Sequence, residues 1–94
     1  MDDPETPETL FACDAGNTTL KWAAWSGGAW GRPLRVSAQE EGLQERLVPA
    51  LREWGPAPSE AGRCVVASVR PSLTEVLQRS WERAGGRVEM EFFE

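Results

Sequence analysis

Histidine is absent from the 94 residues, and lysine occurs once, at Lys21, so the other nine cationic side chains are arginine. Without imidazole neither a Ser-His-Asp triad nor a Cys-His pair can be assembled. The two cysteines, Cys13 and Cys64, have no C-x-x-C spacing and no histidine partner with which to hold zinc. Both sit in apolar runs and read as small buried hydrophobes. Any catalysis is therefore left to carboxylates, lysine, arginine, hydroxyls and backbone amides. No apolar run approaches the ~20 residues that span a bilayer, and the N-terminus is acidic where a signal peptide would be basic. The sequence reads as cytoplasmic. A surplus of positive charge is also lacking: ten basic against fifteen acidic residues leave −5, which argues against nucleic acid and against anionic membrane as partners.

What is present suits one small domain. Apolar residues make up 40% and charged residues 27% of a chain near the lower edge of ordinary domain length. Residues 1–8 mix proline with acids and show no apolar period, which predicts a disordered acidic tail, with order beginning near Leu10. Leu10 to Cys13 reads as a strand, Asp14 to Asn17 as a tight turn, and Thr19 to Trp25 as a second strand stopped by Ser26-Gly27-Gly28. A third strand from Trp30 to Ser37, firm only from Leu34 because of Gly31 and Pro33, completes an antiparallel meander.

Leu43, Leu47, Leu51 and Trp54 then fall on one helical face, predicting a helix over about residues 40–54 that Pro49 kinks or delays. The unbroken apolar run from Cys64 to Val69 predicts a central parallel strand buried on both faces. Ser72 and Glu75 have capping-box spacing at the start of a second helix whose stripe is Leu73, Val76, Leu77, Trp81 and Ala84, and Gly85-Gly86 stops it. Strict alternation from Arg87 to Phe92 predicts a last strand with Glu89 and Glu91 solvated. Its apolar face of Val88, Met90 and Phe92 is expected to lack a neighbour and to favour self-association. The order is βββαβαβ. Among the five tryptophans, Trp54 and Trp81 read as core fillers and Trp22, Trp25 and Trp30 as packing for the meander, with a dimer or ligand surface as the other use.

The segment Asp14-Ala15-Gly16-Asn17-Thr18-Thr19-Leu20-Lys21 carries the chemistry. A carboxylate at a strand end can hold Mg²⁺, a turn glycine lets backbone amides approach an anion, Asn17 and Thr18 add donors, and Lys21 can neutralise phosphoryl charge. The same residue types also suit an ordinary hairpin turn.

Asp-x-Gly-Asn-Thr-x-x-Lys-Trp resembles the first phosphate motif of the type III pantothenate kinases. Ser68-Val69-Arg70-Pro71-Ser72-Leu73-Thr74 is similar to that family's Ser-Val-x-Pro-x-Leu-Thr segment, in the same order along the chain. The resemblance covers residues 9–94. It implies an α/β, ribonuclease-H-like domain of the actin, sugar kinase and Hsp70 superfamily, with a mixed sheet and helices packed on it. It also implies transfer of the ATP γ-phosphoryl group to pantothenate, the first step of coenzyme A synthesis, with Mg²⁺ and a monovalent cation, K⁺ or NH₄⁺.

By the same resemblance Asp14 is the metal-organising carboxylate, Gly16, Asn17 and Thr18 cradle phosphates, and Lys21 contacts phosphoryl oxygens, while Ser68 and Pro71 are site-adjacent. The family's two-domain chain carries its catalytic aspartate in a Gly-x-Asp-Arg segment of the second half, and this sequence contains no such segment. The expectation is an N-terminal half that is nearly inactive alone and that works with a second domain and as a homodimer. The other readings are a non-catalytic regulatory domain of the Bvg accessory factor type, and a pilus or secretion assembly member of the actin-like superfamily.

Overall fold

Alternating burial along the first two strands sets the architecture. In the computed structural model, which describes residues 9–93, β1 (Thr9–Ala15) buries Phe11, Cys13 and Ala15, and β2 (Thr19–Ser26) buries Leu20, Trp22 and Ala24. Their intervening side chains project to the opposite face. The two strands are antiparallel, with Cys13 opposite Trp22 and Asp14 opposite Lys21. The acidic tail expected over residues 1–8, and Glu94, lie outside the described residues.

The expected third strand is two short ones on the same edge of β2. β3 (Ala29–Trp30) pairs with Trp25 and Ser26, and β4 (Leu34–Ser37) pairs with Thr19 to Trp22. Gly31 keeps one bond to the Ala24 carbonyl (2.9 Å), whereas Pro33 has no amide to donate, and pairing lapses there.

Helix α1 (Leu43–Glu53) starts later than residue 40, at Gly42 in the left-handed conformation (φ 72°), and buries Leu43, Leu47 and Leu51. Pro49 lies inside it on the exposed side. After a 3-10 turn at Pro58–Glu60, β5 (Ala61–Ala67) runs parallel to β1, a second 3-10 turn at Pro71–Leu73 leads into α2 (Thr74–Arg83), and β6 (Met90–Phe92) runs parallel to β5.

The sheet order β3-β2-β1-β5-β6, with β4 also on β2, makes β1 the central strand. The assignment of that place to Cys64–Val69 is corrected in position and in burial. Cys64 and Val66 face the core, while Arg63 and Ala67 are exposed and Val65 is half-buried on the other face. A run of small apolar residues does not distinguish one covered face from two. The capping box is also corrected. The 3-10 turn moves the start of α2 to Thr74, so Ser72 instead donates to the Glu40 carboxylate (3.1 Å), and Glu75 pairs with Arg79 (2.6 Å).

Both helices cover a single face of the sheet. Phe11 meets Trp54 and Trp81 edge-on at 5.6 and 5.1 Å, and Trp22 stacks on Trp81 at 6.2 Å. The Trp81 indole N–H donates to the Val88 carbonyl (2.8 Å), and that of Trp54 to Arg32 (2.8 Å). Met90 is buried, and Val88 and Phe92 pack against the core. The apolar face that was expected to stay open is thus filled by the chain's own helices, and Glu91 on the other side takes two bonds from Arg63 (2.7 and 2.9 Å). Trp25 and Trp30 form an exposed edge-on pair at 5.4 Å.

Two measurements test this core. A Cβ on Gly86 would overlap the buried Trp81 ring, so Gly86→Ala is expected to cost about 1–3 kcal/mol by overpacking, read as a lower urea midpoint. Burial pushes the Cys64 thiol up to about 12 and that of Cys13 higher still. The folded thiols therefore hold protons that the unfolded ones release near the usual 9.0. Their contribution to stability is complete below that value and is lost as pH rises toward 12. Native protein should resist a disulfide reagent at neutral pH and react at both thiols in urea, and its urea midpoint should fall on alkaline titration.

Candidate functional site

Parallel pairing brings the ends of β1 and β5 to one edge of the sheet. Asp14 stands level with Ala67, and the chain leaves β5 at Ser68 beside the β1–β2 turn. The turn is closed by the Gly16 amide donating to the Thr19 carbonyl (3.1 Å), which leaves Asn17 and Thr18 exposed at its tip. A Cβ on Gly16 would lie 3.3 Å from the Thr19 oxygen. The glycine is thus used for a close backbone approach.

Asp14 and Lys21 are both exposed and directly opposite each other, yet they form no ion pair with one another. Lys21 is in turn opposite Arg35 on β4. A charged row, Arg35–Lys21–Asp14, therefore crosses three strands on the face that carries no helix. It borders a shallow cavity of about 330 Å³ floored by Ala12, Ala23, Val65 and Ala67. On the other side of the turn, Asn17, Thr18, Ser37 and Gln39 line a cleft of about 290 Å³.

The residues selected from sequence thus fall in two groups. Asp14, Gly16, Asn17, Thr18 and Lys21 share one turn and its flanking strands. Ser68 lies at the same edge and is exposed, with φ 59°, a left-handed conformation that L residues avoid. It turns the chain so that the Val69 amide reaches the Phe93 carbonyl (3.3 Å). Pro71 opens the 3-10 turn and has no further part in the geometry. Sequence reasoning passed over Arg35, whose position opposite Lys21 depends on register, and Arg70, which lies inside the second motif and reaches the Ala38 carbonyl (3.4 Å).

Among the described residues no three acidic, cysteine or histidine side chains cluster to hold a metal by themselves. A lone exposed carboxylate fits Mg²⁺ that arrives on phosphates, since that ion keeps waters and takes only one or two protein ligands. No helix among the described residues is long and apolar enough to cross a membrane.

A mixed sheet covered by two helices, with a polar turn at the end of its first strand, makes this a small α/β domain. The chain belongs to the type III pantothenate kinase family, whose model matches residues 10–93, and through that family to the actin and sugar kinase fold class. A search of curated proteins finds no match to it.

The left-handed Ser68 gives a direct check. Ser68→Gly should leave the protein as stable or raise its stability, while Ser68→Val should lower it by about 1–2 kcal/mol, measured by urea unfolding of both variants.

Proposed function

We propose that this chain supplies the ATP-phosphate site of a type III pantothenate kinase, in which the γ-phosphoryl group of ATP passes to pantothenate. The observation that supports this reading is the Asp14–Lys21 pair. Two opposite charges face each other across β1 and β2, exposed and unbonded to one another, beside a turn closed by the Gly16 amide. Opposite charges so placed without an ion pair are free to take a divalent cation and a phosphate oxygen respectively.

Phosphoryl transfer passes through a loose transition state whose charge is spread over the equatorial oxygens, so positioning and neutralisation carry most of the catalysis. Asp14 would hold Mg²⁺, which when bound would supply positive charge to offset that developing on the phosphates. The Lys21 ammonium neutralises phosphoryl oxygens, and the Asn17 and Thr18 side chains donate to the phosphates at the tip of the turn. Arg35, next along the row, extends the positive side of the site.

The base that deprotonates pantothenate is assigned by the resemblance to a Gly-x-Asp-Arg segment that this sequence does not contain. Residues 9–94 therefore act as the phosphate-binding domain, completed by a second domain of the family and working as a homodimer, with K⁺ or NH₄⁺ as the monovalent cation. Alone, the chain binds nucleotide and turns over little, since loss of a positioned acid–base group costs about 10²–10⁴ in rate.

Titration of ¹⁵N-labelled protein with Mg·ATP is expected to shift the amides of Gly16, Asn17 and Thr18. Lys21→Ala should weaken that binding by about tenfold or more, the scale of a lost charge-assisted hydrogen bond, and Asp14→Asn should remove its Mg²⁺ dependence. A folded wild-type chain whose turn ignores Mg·ATP in the presence of a separately produced second domain would defeat the proposal.

A further inference from the structure

The segment that follows β4 is held by two arginines from different parts of the fold. From α1, Arg46 donates to the carbonyls of Ser37 (3.1 Å), Gln39 and Glu41 (2.7 Å). From the β5–α2 connection, Arg70 donates to the carbonyl lying between the first two, that of Ala38 (3.4 Å). Ala38 is fully buried, and its amide donates to the Thr18 carbonyl (3.0 Å) at the tip of the candidate phosphate turn. One peptide segment thus receives both guanidinium groups and passes its own hydrogen bond to the turn.

The arrangement is costly for the stability of the fold. The Nε of Arg46 and the Nε of Arg70 are both buried without a partner among the described residues, and a buried donor left unmade destabilises a protein more than an average hydrogen bond stabilises it. Two guanidinium groups placed on successive carbonyls at that cost fit a requirement for geometry.

We infer that Arg46 and Arg70 are positioning residues for the phosphate turn, acting as a clasp on residues 37–41 that fixes Thr18 through Ala38. The inference rests on the phosphate-site reading for its purpose, but the clasp has a ligand-free signature. Arg70 acts through the loop, and so does Arg46, whose bonds all go to carbonyls of the loop. The clasp also ties the second motif to the first, because Arg70 lies between Ser68 and Pro71 while Thr18 lies in the first.

The test uses the whole chain, ¹⁵N-labelled, with Arg46→Gln, Arg70→Gln and Arg70→Lys. Two quantities are read: hydrogen exchange of the Ala38 amide without ligand, and the affinity for Mg·ATP from the turn amides. Both glutamine variants are expected to speed Ala38 exchange by about tenfold, the scale of one lost hydrogen bond to a charged donor, with core amides of β1 and β5 unchanged. They should weaken Mg·ATP by several-fold, and Arg70→Lys, which keeps a cationic donor, should recover most of the loss. Unchanged Ala38 exchange would overturn the clasp. So would loss of protection that extends equally to the core, or faster exchange with wild-type ATP affinity, since either marks a merely structural role. A wild-type turn that ignores Mg·ATP would instead reject the phosphate-site reading, and the exchange measurement alone would then decide the clasp.

Discussion

Parallel strands cannot be joined by a tight turn. Pairing β5 alongside β1 therefore obliges the chain to leave the sheet after β4, build α1 and re-enter from the far end. That crossover aligns the two strand ends, setting Asp14 level with Ala67. It also places the exits of β1, β4 and β5 along one edge, where the turn at Asn17-Thr18, the loop at Ala38 and the left-handed Ser68 gather. An antiparallel β5 would have sent Ser68 and Arg70 to the opposite edge, and the two family motifs would never have met.

The same pairing separates stability from chemistry. Because successive side chains of a strand alternate between faces, Phe11, Cys13, Leu20 and Trp22 go under the helices, while Asp14, Lys21 and Arg35 go to the face without helices. The Phe11–Trp22–Trp54–Trp81 cluster locks β1 and β2 to both helices, and so fixes the backbone from which the charged row projects. Side chains of that row can change without opening the core.

Much of this was legible in the residues. The strand–turn–strand of Leu10 to Trp25 is written in alternation and turn chemistry, and the helix faces in spacings of Leu43, Leu47 and Leu51 and of Leu77 and Trp81. The misreadings share a cause, since each depends on what a residue meets across the fold. Cys64 to Val69 carries no mark of one-sided cover because Val65 and Ala67 are as apolar as Val66. Ser72 and Glu75 have the spacing of a capping box, but the 3-10 turn begun by Pro71 displaces the helix start. Val88, Met90 and Phe92 look unpartnered only until the helices are laid over them. The grouping of Asp14 to Lys21 needed no tertiary information, being one hairpin. Arg35, Arg46 and Arg70 could not be singled out, because their relation to the turn runs through register and through Ala38.

Charge is the property in which the chain as a whole misleads most. A net −5 suggests a surface that repels a nucleotide polyphosphate, yet all the excess acid lies in Asp2, Asp3, Glu5, Glu8 and Glu94. Residues 9–93 carry equal numbers of acids and bases. Within that balanced body the charges are placed unevenly. Glu75 faces Arg79 and Glu91 faces Arg63, while Lys21 and Arg35 stand side by side on adjacent strands. Neighbouring strands lie about 4.8 Å apart, well inside the screening length of about 8 Å at physiological salt. The two cations therefore act together on any anion brought beside them, and acids at the chain ends contribute to the local field only where they come within that distance. The potential beside the turn depends on which charges the register of β4 on β2 brings together, and the summed charge of the chain does not reveal it.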